Sequence, residues 1–164
     1  MAISCITNKN EPFFGKALFM RRMKMRLTFI TDQAKDDCFA IRRKVFMQEQ
    51  GFHHEFDELD VRATHLCAYA DDVPVGCLRY FPDIERPSCI HIGRVAVLPA
   101  YRHHHIGRKL MEQAELQIRN KGFAEIRISA QLQAMPFYQR CGYRCDGETY
   151  LDEHVLHIDM LRKL

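Results

Sequence analysis

The stretch GRVAVLPAYRHHHIGRK, from Gly93 to Lys109, decides how the chain is read. An apolar strand (Val95, Ala96, Val97, Leu98) stops at Pro99. A basic turn runs from Arg102 through His103, His104, His105 and Ile106 to Gly107, and an amphipathic helix begins. The first N–H groups of a helix have no acceptor within it, and the helix dipole favours negative charge there. A strand feeding a basic turn at a helix N-terminus is therefore a phosphate-binding arrangement.

Outward from this point the pattern alternates strands and helices. Residues 26–31 alternate as a strand, and Asp32 is placed as an N-cap. Ala34, Cys38, Ile41, Val45 and Phe46 recur at helical spacing over 33–50, and Gly51 stops that helix. Residues 52–62 are acidic and read as a loop or broken helix. Strands 64–70 and 74–82 flank the turn signal Asp71-Asp72. A long strand covers 88–98. The helix of about 105–121 sets Ile106, Leu110, Ala114 and Ile118 on one face, and Gly122 ends it. A strand over 124–130, a short helix over 134–141 closed by Gly142, and strands 143–150 and 155–161 complete the chain. The expected fold is α/β: seven strands and three helices, mixed around a central sheet, with one parallel crossover in the middle.

The chain has 164 residues, which suits one domain with a real core. Residues 1–24 are expected to form an extension, part of it poorly ordered, ahead of a domain over 25–164. Phe13, Phe14 and Phe19 lie in that extension without the continuous apolar run of a signal peptide. A net charge of +3 with no basic stripe argues against a nucleic-acid partner, and no apolar run reaches membrane-spanning length. The 7 cysteines form no CxxC pair and sit in apolar patterns. They read as buried hydrophobes in a reducing, cytoplasmic compartment. Three consecutive histidines on one tight turn do not converge on a tetrahedral ion, so no metal is expected. A P-loop is excluded because G-x-x-x-x-G-K-[ST] does not occur.

Two motifs together resemble the GNAT-type N-acetyltransferases, which use acetyl-coenzyme A. One is Val97-Leu98-Pro99 followed by Arg102 to Gly107. The other is Ala134-Met135-Pro136-Phe137-Tyr138-Gln139-Arg140-Cys141-Gly142-Tyr143. Val45 to Gln50, then Glu55, Asp57, Asp60 and His65, together with Ser129-Ala130-Gln131 and His157-Ile158-Asp159-Met160, are similar to the small bacterial ElaA-like branch. The resemblance covers residues 26–161 and implies a mixed, mostly antiparallel central sheet of about seven strands flanked by about four helices.

The resemblance implies that amides of His103, His104, His105, Ile106, Gly107 and Arg108 cradle a pyrophosphate, with Arg102 and Arg108 supplying charge. It implies that Val95, Ala96 and Val97 face the pantetheine arm, with the Val95 N–H on the acetyl oxygen. Gln131, Phe137 and Tyr138 join the cofactor site, and Tyr138 protonates the leaving thiolate. His103 and His105 stand where glycine is usual in the family. Glycine accepts positive φ freely and lets a phosphate approach closely.

An alkyl amine has a pKa of about 10, so freeing it at pH 7 costs roughly 4 kcal/mol and calls for a base. His91, on the long strand, is the first candidate, because histidine titrates in the right range. Glu49, Glu58, His65 and His157 are others. The acidic stretch Glu55–Asp60 reads as a solvated loop, with the alternative that it holds a cationic amine. The expected activity is acetyl transfer to a small-molecule primary amine by direct attack. A non-catalytic acyl-coenzyme A binding domain, and acetylation of a protein or peptide amine, are the alternatives. Similar proteins are commonly homodimers.

Overall fold

The computed structural model describes residues 25–164; the expected extension, 1–24, lies outside the described residues. Seven strands form one sheet in the order β1-β2-β3-β4-β5-β7-β6. They are β1 (Leu27–Thr31), β2 (Thr64–Ala70), β3 (Val73–Pro82), β4 (Cys89–Val97), β5 (Glu125–Gln131), β6 (Arg144–Asp152) and β7 (Val155–Lys163). Only β4 and β5 run parallel; every other neighbouring pair is antiparallel. The helices are α1 (Lys35–Arg42), a single turn α2 (Leu59–Arg62), α3 (Ile106–Asn120) and α4 (Met135–Arg140). The mixed, mostly antiparallel seven-stranded sheet with four helices is the expected architecture.

Helical periodicity explains the packing. Ile106, Leu110, Ala114 and Ile118 of α3 are all buried against β2, β3 and β4. On the α1 side, Ala34, Cys38, Ile41, Val45 and Phe46 are buried over Cys67, Cys77 and Ala96. The six described cysteines are free, four of them buried. The β2–β3 connection is a two-residue turn in which Asp71 and Asp72 both have positive φ, the backbone that matches strand twist in a tight hairpin.

Three local features differ from the sequence reading. The 33–50 helix is not uniform: beyond Arg42 the chain continues as a π-helix over Arg43–Glu49, with the Gln50 N–H donating to the Val45 carbonyl at 3.1 Å. This widened turn ends with Glu49 beside Arg102 and Gln50 beside Gln131. Asp32 does not cap α1. It has a φ of 59°, and its carboxylate accepts the His65 N–H at 2.9 Å, tying β1 to β2. The residue at the start of α1 is Ala34, which has no capping side chain.

The third difference is the acidic stretch, which is not a solvated loop. Arg42 is 1% exposed and donates to Glu55 at 2.6 Å and to Asp60 at 2.6 and 3.0 Å. The Arg42 guanidinium lies against the rings of Phe39 and Phe56. Arg79 pairs with Asp57 and Asp60, each at 2.7 Å, and Arg94 reaches Glu55 at 2.9 Å. Ion pairs that close buried charge in this way are compensated pairwise, and removing one partner strands the other.

Burial alone would raise the Asp60 carboxyl, but the guanidiniums of Arg42 and Arg79 outweigh it and hold it well below the usual carboxylate range. The unfolded value is about 4. A group depressed in the folded state stabilises above its unfolded pKa and loses that contribution as pH falls toward the folded one. Asp60→Asn is therefore predicted to lower the unfolding free energy at pH 7 by about 3 kcal/mol. In urea unfolding the gap from wild type should narrow steadily below pH 4; a gap independent of pH would contradict the ion-pair account.

The turn before α3 generates a second prediction. His103 and His105 have φ of 66° and 59°, the left-handed region that costs a side-chain-bearing residue about 1 kcal/mol or more. His105→Gly should stabilise the fold slightly, by up to about 1 kcal/mol after glycine's own entropic cost, and His105→Val should destabilise it. Thermal unfolding reads both; a lower midpoint for His105→Gly would contradict the assignment.

Candidate active site

The site begins where a pairing ends. β4 and β5 are in register only from Cys89 opposite Glu125 to Ile92 opposite Ile128. Beyond that, β4 continues against β3, and β5 continues against β7. Gly93–Val97 and Ser129–Gln131 therefore diverge and leave a wedge in the middle of the sheet. Arg94 and Val95 have no register partner on β3 either, and Arg94 has a φ of 55°. This is a bulge in a central strand, a device that frees backbone groups and re-aims them. The Arg94 side chain is anchored through the bond to Glu55.

A cleft of about 590 Å³ fills the wedge, with Val95, Val97, Gln131, Phe137, Tyr138 and His157 among its walls. On one side it adjoins a recess of about 610 Å³ beside the α3 N-terminus, with Val95, Val97, Arg102, Phe137 and Tyr138 lining both. On the other side it adjoins a recess of about 380 Å³, with Gly93, Arg94, Ser129 and Asp152 lining both. The three adjoining spaces, together called the passage, run from the basic turn, past the opened strands, to an acidic and arginine-rich far end.

The basic turn has the geometry of an anion cradle. The first hydrogen bond of α3 runs from the Lys109 N–H to the His105 carbonyl at 3.1 Å. The N–H groups of Ile106, Gly107 and Arg108 precede it and have no helical acceptor. His103, His104 and His105 are exposed, and the first and last supply the positive φ that glycine usually supplies. Gly107 faces the Phe137 ring, which a Cβ there would meet at 3.4 Å, an ordinary contact. Arg108 is exposed and pairs with Glu112 one turn on. Arg102 is engaged: it donates to the Val97 carbonyl at 3.0 Å and, through both terminal nitrogens, to Glu49 at 2.7 Å. Arg102 holds the Glu49 carboxyl below its ordinary range.

Tyr138 is 8% exposed, with its ring against Phe137 and Tyr143. Its hydroxyl has no hydrogen-bond partner among the described residues, and it is not sealed from solvent-accessible space. Burial pushes its phenol well above the ordinary value, so the group stays protonated and can only give its proton to a stronger base formed beside it. Gln131 spans the wedge, donating to Gln50 at 2.8 Å. Ala96 is buried and points away from the passage into the α1-side core, so its backbone alone faces the wedge.

The candidate bases separate by position. His91 lines the far recess and not the central cleft. Its ring stacks on Phe81, and Nδ1 lies 3.6 Å from Asp83. Burial pulls its pKa down against the opposing pull of Asp83. His65 is buried behind the sheet, with Nε2–H donating to the Asp60 carbonyl. Glu58 is exposed, and Glu49 is occupied by Arg102. His157 does line the central cleft. The residues that sequence reasoning missed are Arg94 as the bulge and Glu55 as its anchor. The adjacency of Arg94 to Gly93 on an apolar strand was the only local hint. Among the described residues no cluster of histidine, cysteine and carboxylate side chains is placed to hold a metal, and no helix is long and apolar enough to cross a membrane.

Comparison with known proteins agrees with this geometry. Residues 28–143 match the family model described as "Acetyltransferase (GNAT) family". The N-acetyltransferase YjcF of Bacillus subtilis, itself uncharacterized, is 31% identical over 143 residues, covering 85% of this chain and 99% of that one. The crystal structure of an N-acetyltransferase from Lactobacillus plantarum superimposes with a TM-score of 0.77 at 30% identity, covering 84% of this chain and 98% of the other. Escherichia coli ElaA shares the fold, with a TM-score of 0.72 at 23% identity over 85% and 99% of the two chains. So does the PaiA N-acetyltransferase of Thermoplasma acidophilum, solved in complex with coenzyme A, with a TM-score of 0.64 at 17% identity over 87% and 100%. A bulged central strand beside a basic helix start, together with the match of that family's model over 28–143, makes this chain an acyltransferase belonging to the acetyltransferase (GNAT) family.

Proposed function

We propose that the chain transfers the acetyl group of acetyl-coenzyme A to the primary amine of a small molecule by direct attack. The observation that carries this reading is the wedge: beyond Ile92 and Ile128 the two strands part, and the adjoining spaces there are walled by the α3 start, the Arg94–Val95 bulge and Tyr138. A helix N-terminus with positive-φ residues before it fits a pyrophosphate, and the apolar walls Val95, Val97, Ala134 and Phe137 fit the arm that follows. Acetyl-coenzyme A supplies the thioester carbonyl and a thiolate leaving group.

The chain's own residues do the rest. Amides from His103 to Arg108 hold the anionic end, and Arg102 adds charge once it shares its Glu49 contact. The Val95 N–H stands where a carbonyl oxygen gains negative charge during attack; a preorganised donor of this kind stabilises the transition state more than the ground state. Tyr138 holds the proton that the departing sulfur needs. The far recess, where His91 and Asp83 lie, receives the acceptor. It carries Asp57, Asp83, Glu85, Asp152 and Asp159 against Arg79, Arg94 and Arg127, a carboxylate excess that favours a cationic amine over an acidic one.

The test is thiol release from acetyl-coenzyme A against a broad amine panel. Tyr138→Phe should lower kcat by about 100-fold with coenzyme A affinity unchanged, and Arg102→Ala should weaken coenzyme A binding. Coenzyme A binding without turnover on any amine would contradict the enzymatic reading, and an unchanged kcat in Tyr138→Phe would remove that side chain from the mechanism.

A further inference from the structure

The central cleft contains one imidazole whose protonation pattern is dictated by a single contact. His157 Nδ1 lies 3.0 Å from the Val155 carbonyl oxygen. A carbonyl oxygen carries no proton and can only accept, so Nδ1 must bear the hydrogen. In the neutral ring that leaves Nε2 with its lone pair. Nε2 has no hydrogen-bond partner among the described residues and is not sealed from solvent-accessible space. For a side chain only 6% exposed that lines the cleft, that space is the cleft itself.

The ring is also held rigidly. His157 stands opposite Gln131 on β5 and Tyr150 on β6, and it stacks on the Tyr150 ring at 6.1 Å and 25°. Tyr150 in turn donates to Asp159 at 2.8 Å. The other groups around the cleft are committed elsewhere. Glu55 is paired with Arg42 and Arg94, and Asp159 with Arg127. Glu153 accepts the N–H groups of His53 and His54. Asp152 and His54 are exposed at the rim. The sequence marks His157 only as one of several candidates; the structure puts it in the same cavity as Val95 and Tyr138.

We propose that His157 Nε2 is the base that takes the proton from the attacking amine, a role that rests on the acetyl-transfer reading. The amine nitrogen attacks the thioester carbon, forming the N–C bond as one N–H proton passes to Nε2. The C–S bond breaks, and its electron pair leaves on sulfur, which takes the phenolic proton of Tyr138. The imidazolium then releases its proton to solvent and the phenolate recovers one, so a neutral amine reacts with no net change in protons. Val155 acts only through its carbonyl, as the group that fixes which nitrogen is free.

The first measurement needs no turnover. Long-range proton–nitrogen NMR of the protein labelled in its histidines should show neutral His157 as the Nδ1–H tautomer; an Nε2–H tautomer overturns the proposal. The second is kinetic, using His157→Gln, which keeps much of the side-chain volume. Its kcat/KM should fall about 10²- to 10⁴-fold. Coenzyme A should still raise its thermal midpoint as in wild type, which separates lost chemistry from lost folding. An active wild type with an equally active His157→Gln, or a larger fall in kcat/KM for His91→Gln than for His157→Gln, overturns the assignment. A wild type that turns over no amine refutes the acetyl-transfer reading instead, while the tautomer still decides the geometry.

Discussion

Four residue pairs, Cys89–Ile92 against Glu125–Ile128, carry the only parallel pairing in the sheet, and the way it ends governs the rest of the molecule. Opening a central sheet leaves polar backbone groups without partners, which a protein interior tolerates only when something else satisfies or uses them. Here β3 and β7 keep hold of the two diverging strands from outside. The Arg94 bulge takes up the change in direction, and the Arg94–Glu55 bond pins the bulge to the buried ion network around Arg42. The wedge is thus held by contacts of the scaffold itself. Sites held on strands in this way position reacting groups more accurately than loops do.

The same network places the covering elements. Arg42 sits at the junction of α1 and its π-helical continuation, and the continuation ends at Glu49 and Gln50. Glu49 reaches Arg102 at the basic turn, and Gln50 reaches Gln131 at the end of β5. From the opposite rim the β6–β7 turn leans in: Glu153 accepts from the His53 and His54 amides, and His154 donates to the Gln50 carbonyl at 3.0 Å. The loop after α1 and the β6–β7 turn meet over the central cleft. Such a cover limits water over the cleft, and electrostatic contacts gain strength as water is excluded.

Much of this was legible in the chain. Leu110, Ala114 and Ile118 announced the buried face of α3, and Val97-Leu98-Pro99 followed by Arg102 announced the strand-to-helix crossover. The glycine positions taken by His103 and His105 did prove to need positive φ, because the turn's backbone is set by the cradle it forms and not by the side chains that occupy it. What local pattern could not show depends on contacts between residues far apart in sequence. Glu55 and Asp60 look solvated beside one another, and only the arrival of Arg42, Arg79 and Arg94 makes them core. Asp32 resembles a cap until His65 claims its carboxylate. The bulge at Arg94 carries no glycine to mark it, and His157 becomes part of the cleft only because β7 inserts between β5 and β6.

The central claim is that the passage from the α3 start to the β4 bulge is where coenzyme A lies. Backbone amide NMR during a coenzyme A titration tests it most directly. The account predicts saturable shifts concentrated in the amides of Gly93–Val97 and His103–Arg108, with Val95 among the largest. Saturation with those amides unmoved, or shifts gathered on another face of the sheet, would contradict it.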